Sequence, residues 1–342
     1  MNALVVTGTG RVSPKGGAPA TPPGQLPRPA DLAFPAEGFD PAGAFDLRTT
    51  RSQHRSTLLA LAASAAALAD AGLDLADSDR DGIGVALGTH VGSLTGAVTH
   101  GRESFRRERP FLVNPSTFPN LILNTSAGAV AIAQGLRGAN TTVAGGPVAA
   151  INALRHAEVA LRAGHVDTML VGAAEEYGEH EAWLAAVLRP GRVLGEAAAF
   201  MVLEREEAAS GAGRPPLAKV SATVTRQVDP TAPGDIGTLL TSALERSGTS
   251  REQVRRVAVR LAGDPRSDAA LRRAVAVTTR VEPLDTEPAT GDCHAAHAAV
   301  QLVETAVACR DEKWGPEEAG AVVAVDGDGL AGVAVLTGFG AW

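Results

Sequence analysis

ANTTVAGGPVAAINALRHAEVALRAGHVDTMLVGA, residues 139–173, holds the pattern on which the architecture turns. The β-branched run 141–144 reads as a short strand, and apolar residues recur at helical spacing through 147–164. A buried strand follows over 168–171, ahead of the acidic pair Glu175 and Glu176. Strand, helix and strand in succession form a βαβ unit, which points to an α/β architecture. Gly145 and Gly146 make a hinge before the helix, and Pro147 occupies a first helical turn, where proline is welcome.

Upstream, Leu4, Val5 and Val6 read as a buried first strand, with Gly8 and Gly10 as the turn after it. Residues 13–41 are rich in Pro, Gly and Ala and read as a surface excursion to the next helix. That helix is expected over 56–71, closed by Gly72, and a strand over 82–87. Residues 110–120 are turn-rich, and 127–135 resume a helical pattern. Downstream, 198–203 reads as a strand and 209–216 as an exposed connection. The chain therefore divides into halves, 1–208 and 217–342. The second half repeats the theme, with strands at 254–261, 322–325 and 333–337 and helices at 236–247, 268–276 and 295–310.

Composition removes several function classes. With 342 residues and 45% hydrophobic content the chain can bury a substantial core, while 4% aromatics gives no base-stacking platform. The net charge of -7 is spread without long like-charge runs and leaves no basic footprint for nucleic acid. Two cysteines, Cys293 and Cys309, supply neither a disulfide framework nor a structural zinc site. No apolar run approaches the ~18 residues of a spanning helix, and residues 1–10 lack the form of a signal peptide. A cytoplasmic protein without membrane contact is expected. Gly8-Thr9-Gly10 has no third glycine for a dinucleotide turn, so no cofactor is expected.

Several segments, in order, resemble the β-ketoacyl synthases of the thiolase superfamily. They are Phe118-Pro119-Asn120, Ala127-Gly128, Ala131-Ile132, the run 135–140 (GLRGAN), Arg162-Ala163-Gly164, and Gly195-Glu196-Ala197-Ala198-Ala199 with Val202-Leu203-Glu204. The likeness is dense from 110 to 204 and sparser afterwards. It implies a thiolase-like fold, two related α/β halves in a layered α-β-α-β-α arrangement.

Members of that family attack an acyl thioester with a cysteine at the tip of the helix after the GLRGPN strand, where the helix amino terminus favours a thiolate. Counting from Asn140 puts Pro147 at that position. Proline has no nucleophilic atom, and it removes the amide that would serve the oxyanion hole, a loss of ~3 kcal/mol of transition-state stabilisation. The resemblance puts Arg260 at the first catalytic histidine, through the Pro265 and Asp268 alignment, and arginine cannot act as the acceptor that histidine provides. An exposed arginine at a strand end is the plain alternative. Cys293-His294 resembles the remnant of the second histidine segment, with Ala289 in place of its lysine and His294 equally readable as a satisfied buried residue. Gly327-Asp328-Gly329 takes the place of the terminal gate, so Asp328 would bring a carboxylate where negative charge develops. An Asp-Gly turn between strands is the plain account.

Lost chemistry on a kept scaffold resembles the chain-length factors of type II polyketide synthases, polyene systems among them. These pair with an active ketosynthase as a heterodimer, and the implied assembly takes acyl carrier protein mainly through that partner. The resemblance assigns the interface and acyl tunnel to Phe111, Leu112, Val113, Asn114, Thr117, Phe118 and Asn120 of one loop and to Thr141, Thr142 and Val143 of the strand before Pro147. Filling the interface is the simpler use of the apolar ones. Two rivals stay open: a homodimeric acyl-binding scaffold without a ketosynthase partner, and an acyltransferase dependent on Cys293 with His294 or His297.

Overall fold

The computed structural model describes residues 3–15, 33–36, 38–73, 75, 80–189 and 191–340. The first half runs β1 (Leu4–Val12), β2 (Ala33–Phe34), α1 (Pro41–Ala44), α2 (Leu47–Ser52), α3 (Arg55–Asp70), β3 (Ile83–Thr89), α4 (Leu94–Arg106), α5 (Thr125–Gln134), β4 (Asn140–Ala144), α6 (Ala149–Arg162), β5 (Thr168–Glu175), α7 (Glu179–Leu188), β6 (Leu194–Gly195), β7 (Ala197–Arg205) and α8 (Glu206–Gly211). The second half runs β8 (Ala218–Gln227), α9 (Pro233–Ser247), β9 (Val254–Arg260), α10 (Pro265–Thr279), β10 (Leu284–Asp285), α11 (Glu287–Thr290), α12 (His294–Asp311), β11 (Ala319–Val325) and β12 (Leu330–Thr337).

Ten strands join in the order β10-β9-β11-β12-β8-β1-β7-β5-β3-β4. Read from its two ends, that order describes the same motif twice, meeting where β1 pairs with β8 over Leu4 to Val6. Side chains alternate between faces along each strand, so neighbours enter different cores. Val322 and Ala324 of β11 join the cluster around α6 and α12, whereas Val323 and Val325 pack with α9 and α10. In the first half Met169 and Val171 face that same middle cluster, while Leu170 packs with α3 and α5. Three apolar layers separated by strands give the layered thiolase-like α/β fold, and α6 and α12 form its shared middle. Among the described residues no helix is long and apolar enough to cross a membrane.

The structure corrects the opening of the chain. Gly8 and Gly10 lie inside β1, not in a turn after it. A Cβ at Gly8 would overlap the Ala67 carbonyl and the Ala71 amide, and one at Gly10 the Ala63 carbonyl. These glycines let α3 lie directly on the strand. Of the expected excursion, residues 16–32 and 37 lie outside the described residues, whereas Ala33 and Phe34 are buried and pair with β6. The expected connection over 209–216 begins inside α8, with Ala209 buried. Three long elements carry no expectation from sequence: α4, α7 and β8. In α4 only Gly96 is buried, and the Ser93 hydroxyl caps it by accepting from the Gly96 amide.

Candidate functional site

The end of β4 leads through Gly145 into a short 3-10 turn, Gly146–Val148, and then into α6. Gly146 has φ +53, a conformation that favours glycine, and a Cβ there would stand 3.0 Å from Asp326 Oδ2. Pro147 follows, buried in the same turn. Its ring fills the place of an amide hydrogen. The head of α6 therefore carries neither a thiol nor a donor at this residue.

The first turn of α12 packs on the same turn from the other half. His294, at φ +46, stacks on His90 with ring centroids 5.2 Å apart. Arg189 Nη2 donates to His294 Nδ1 at 2.8 Å. A guanidinium cannot accept, so Nδ1 is the bare nitrogen and the proton sits on Nε2. Burial pushes the His294 pKa down to about 3, which keeps the ring neutral. His90 shifts down too, from burial and then from Arg189.

Asp292 organises the charges beneath this pair. It accepts from Arg260 Nη2 at 2.7 Å, Arg189 Nη1 at 3.1 Å and the His294 amide at 3.0 Å, with Arg192 Nη1 at 3.5 Å. Burial alone would raise its pKa, but Arg260 foremost among its partners holds the carboxyl well below the usual range. Arg260 is itself fully buried, which overturns its reading as an exposed strand-end arginine. It is fixed in an ion pair and points no acceptor at the turn.

The carboxylate nearest the Pro147 turn belongs to Asp326, whereas Asp328 is exposed in the β11–β12 connection. Gly329, at φ +89, closes that connection, and the Asp328 carbonyl accepts from Gln227. The Cys293 thiol is buried, and burial pushes its pKa well above the ordinary value. It faces the Thr290 and Gly291 carbonyls at 3.5 and 3.8 Å, not a histidine, so this geometry gives no support to a Cys293 thiolate. His297 is buried with its Nε2 on Thr286 Oγ1 at 2.9 Å, and burial lowers its pKa to about 4.

Behind His90 lies a row of buried acids. Glu175 accepts from Thr89 Oγ1 at 3.1 Å and from the His90 amide. Glu176 accepts from Ser93 Oγ at 2.6 Å and the Ser56 amide at 2.9 Å, and Glu181 accepts from Thr95 Oγ1 at 3.0 Å. Burial raises the Glu175 pKa to about 8, against these hydrogen bonds. The 89–95 turn and the start of α4 are thus strung on three carboxylates.

The interface candidates occupy a different surface. β4 ends the strand order, pairing among the described residues with β3 alone. Thr141, Thr142 and Val143 are half-buried there, and Thr141 Oγ1 meets His156 Nε2 at 2.9 Å. Phe111, Leu112, Asn114 and Phe118 are exposed, while Val113, Thr117 and Asn120 are half-buried. His100 on α4 pins this loop through Thr117 Oγ1 at 2.9 Å and an edge contact with the Phe118 ring. Sequence reasoning misses His90, Arg189, Asp292 and Asp326. Asp292 directly precedes Cys293 and His294, and that adjacency is the one signal that could have found it.

A family model described as the N-terminal domain of β-ketoacyl synthase matches residues 33–189. The 3-oxoacyl-[acyl-carrier-protein] synthase 2 of Vibrio cholerae is 27% identical over 313 residues, 82% of this chain and 75% of that one. A granaticin polyketide putative β-ketoacyl synthase 1 of Streptomyces violaceoruber is 31% identical over 222 residues, 57% of this chain and 51% of that one. Among solved structures, the ishigamide ketosynthase/chain length factor superposes with a TM-score of 0.88 at 32% identity, covering 99% of this chain and 100% of the other. A β-ketoacyl synthase from Burkholderia phymatum, 20% identical with a TM-score of 0.84 over 98% and 99% of the two chains, shares the fold. With sequence and shape matched along the full chain, this protein belongs to the β-ketoacyl synthase family and has its thiolase-like fold.

Proposed function

We propose that this chain is a non-catalytic subunit of the chain-length-factor type, which pairs with an active ketosynthase in type II polyketide assembly and helps shape its acyl tunnel. The observation that carries the reading is Pro147, buried at the head of α6 where a nucleophile would stand. Arg260 locked to Asp292, a neutral His294 held by Arg189, and Asp326 beside the turn support it, since each disfavours a developing negative charge or leaves no base. The likeness to the ishigamide ketosynthase/chain length factor supports it further. The tunnel role falls to the exposed loop of Phe111, Leu112 and Phe118, whose 115–121 turn packs on α4 and α5.

Co-expression with a cognate ketosynthase tests the proposal. A stable one-to-one complex that elongates acyl-carrier substrates, with an isolated chain that condenses nothing, is the expected result. Condensation by the pure chain overturns it. Within the complex, Phe118→Ala and Leu112→Trp are expected to change product length, and unchanged lengths count against the tunnel role.

A further inference from the structure

Phe111, Leu112 and Phe118 are 71%, 50% and 58% exposed, so apolar burial does not fix the loop that carries them. Its position has to come from polar contacts strong enough to offset the entropy of ordering it. Within the loop the Leu112 amide donates to the Arg109 carbonyl at 3.0 Å, and the Thr117 amide to the Asn114 carbonyl at 3.3 Å. These local turns shape the loop without tying it to the rest of the molecule. A tie to the rest runs through α4. His100 Nδ1 meets Thr117 Oγ1 at 2.9 Å, and the His100 ring lies edge-on to Phe118 with centroids 6.4 Å apart.

The direction of that contact follows from the hydroxyl. Thr117 Oγ1 has one proton, which it donates to the Asn114 carbonyl at 2.8 Å. Toward His100 the same oxygen therefore accepts, and the imidazole carries its proton on Nδ1. One hydroxyl thus closes the 114–117 turn and hangs it on α4. The helix is anchored in turn at its start, where Ser93 Oγ donates to Glu176 at 2.6 Å and Thr95 Oγ1 to Glu181 at 3.0 Å. Beyond the loop a Cβ at Gly92 would stand 3.0 Å from a Leu123 methyl, so the two ends of the α4 and loop segment also touch. Buried carboxylates, α4, His100, Thr117 and Phe118 form one line of contacts from the interior to the surface.

We propose that His100 is the positioning residue of the 110–121 loop: by holding Thr117 it sets how far Phe118 reaches toward the growing acyl chain, and so narrows product length without touching that chain itself. The inference rests on the tunnel reading above and adds the residue that fixes the tunnel wall. A wall side chain limits length sharply only if its backbone is held in one place, and a loose support leaves several volumes in its stead.

The test uses the full chain, alone and in complex with a cognate ketosynthase. In His100→Ala, amide exchange over 110–121 is expected to quicken about fivefold, the weight of one ordinary hydrogen bond, with a melting temperature within about 2 °C of wild type. Its complex is expected to spread product over neighbouring lengths. His100→Asn, which offers an amide nitrogen near the place of Nδ1, is expected to restore most of the wild-type distribution. Thr117→Val keeps the outline of the side chain and loses the acceptor; it is expected to match His100→Ala, and the double variant to be no worse than either single one. Unchanged lengths in His100→Ala, where Phe118→Ala does change them, overturn the inference and leave the tunnel reading standing. Unchanged exchange over the loop, additive effects of the two substitutions, a silent Thr117→Val, or His100→Asn behaving as His100→Ala overturn it as well. If Phe118→Ala and Leu112→Trp also leave the lengths unchanged, the tunnel reading fails and the inference falls with it.

Discussion

Arg260 and Arg106 are one residue type in opposite settings. Arg260 is sealed at the end of β9 with Asp292 at 2.7 Å, and Arg106 stands in solvent at the end of α4. Around Asp292 charge is paired within the chain. At the end of α4 Arg106 has no carboxylate partner among the described residues and stands beside the exposed Phe105. The difference separates charges that hold the fold together from charges that the fold does not use.

Breaking the inner setting is expected to have the largest effect. Arg260→Ala leaves Asp292 with one partner fewer in a buried site and should cost ~3–5 kcal/mol in a urea titration. A loss below ~1 kcal/mol would mean that Arg189 and Arg192 suffice and that Arg260 is not the lock. The next effect is one of pH. Glu175 has a folded pKa of about 8 against an ordinary 4.5, so the folded state holds a proton that the unfolded chain releases. Its contribution is full below pH ~4.5 and is lost as pH rises toward 8, with a limiting slope of ~1.4 kcal/mol per pH unit. Glu175→Gln keeps the neutral shape, and its melting temperature should fall less than the wild type's between about pH 6 and 8.5. Equal falls in both would show that Glu175 does not hold that proton.

Pro147→Cys sharpens the comparison from the chemical side. It returns a thiol and an amide to the head of α6, yet Arg260 and Asp326 stay as they are, so no condensation by the isolated variant is expected. Its stability should drop by no more than ~1 kcal/mol, the usual scale for removing a compatible proline. Turnover by that single variant would place the block at Pro147 alone. The smallest effect is expected outside: Arg106→Ala should move the stability of the isolated chain by less than ~0.5 kcal/mol. A larger change would show that Arg106 has a structural partner within the chain.

Much of the fold is legible because its strands are continuous apolar runs. The helical spacing of 147–164 and the closing glycine at 72 bring out α6 and α3 nearly to the residue. Gly8 and Gly10 mislead because glycine signals a turn and a close helix contact equally well. The helix α4 goes unread although Leu94, Ala97, Val98 and Phe105 recur at helical spacing, because Gly92, Gly96 and Gly101 give the stretch the composition of a loop. At the site, the position of Pro147 can be counted along the chain. The partnership of Asp292 with Arg189 and Arg260 cannot, since it joins residues 103 and 32 positions apart. Spacing picks out Asp328 where Asp326 is the carboxylate beside the turn, because the β11–β12 hairpin decides which side chain points inward.

The mirrored strand order brings the leading turns of α6 and α12 together, one from each half of the chain. A centre assembled at such a seam has two separate owners. Erasing the contribution of one, as Pro147 does on the reading proposed above, leaves the other's in place, which is why a stacked histidine pair still stands opposite a residue that has nothing to exchange with it.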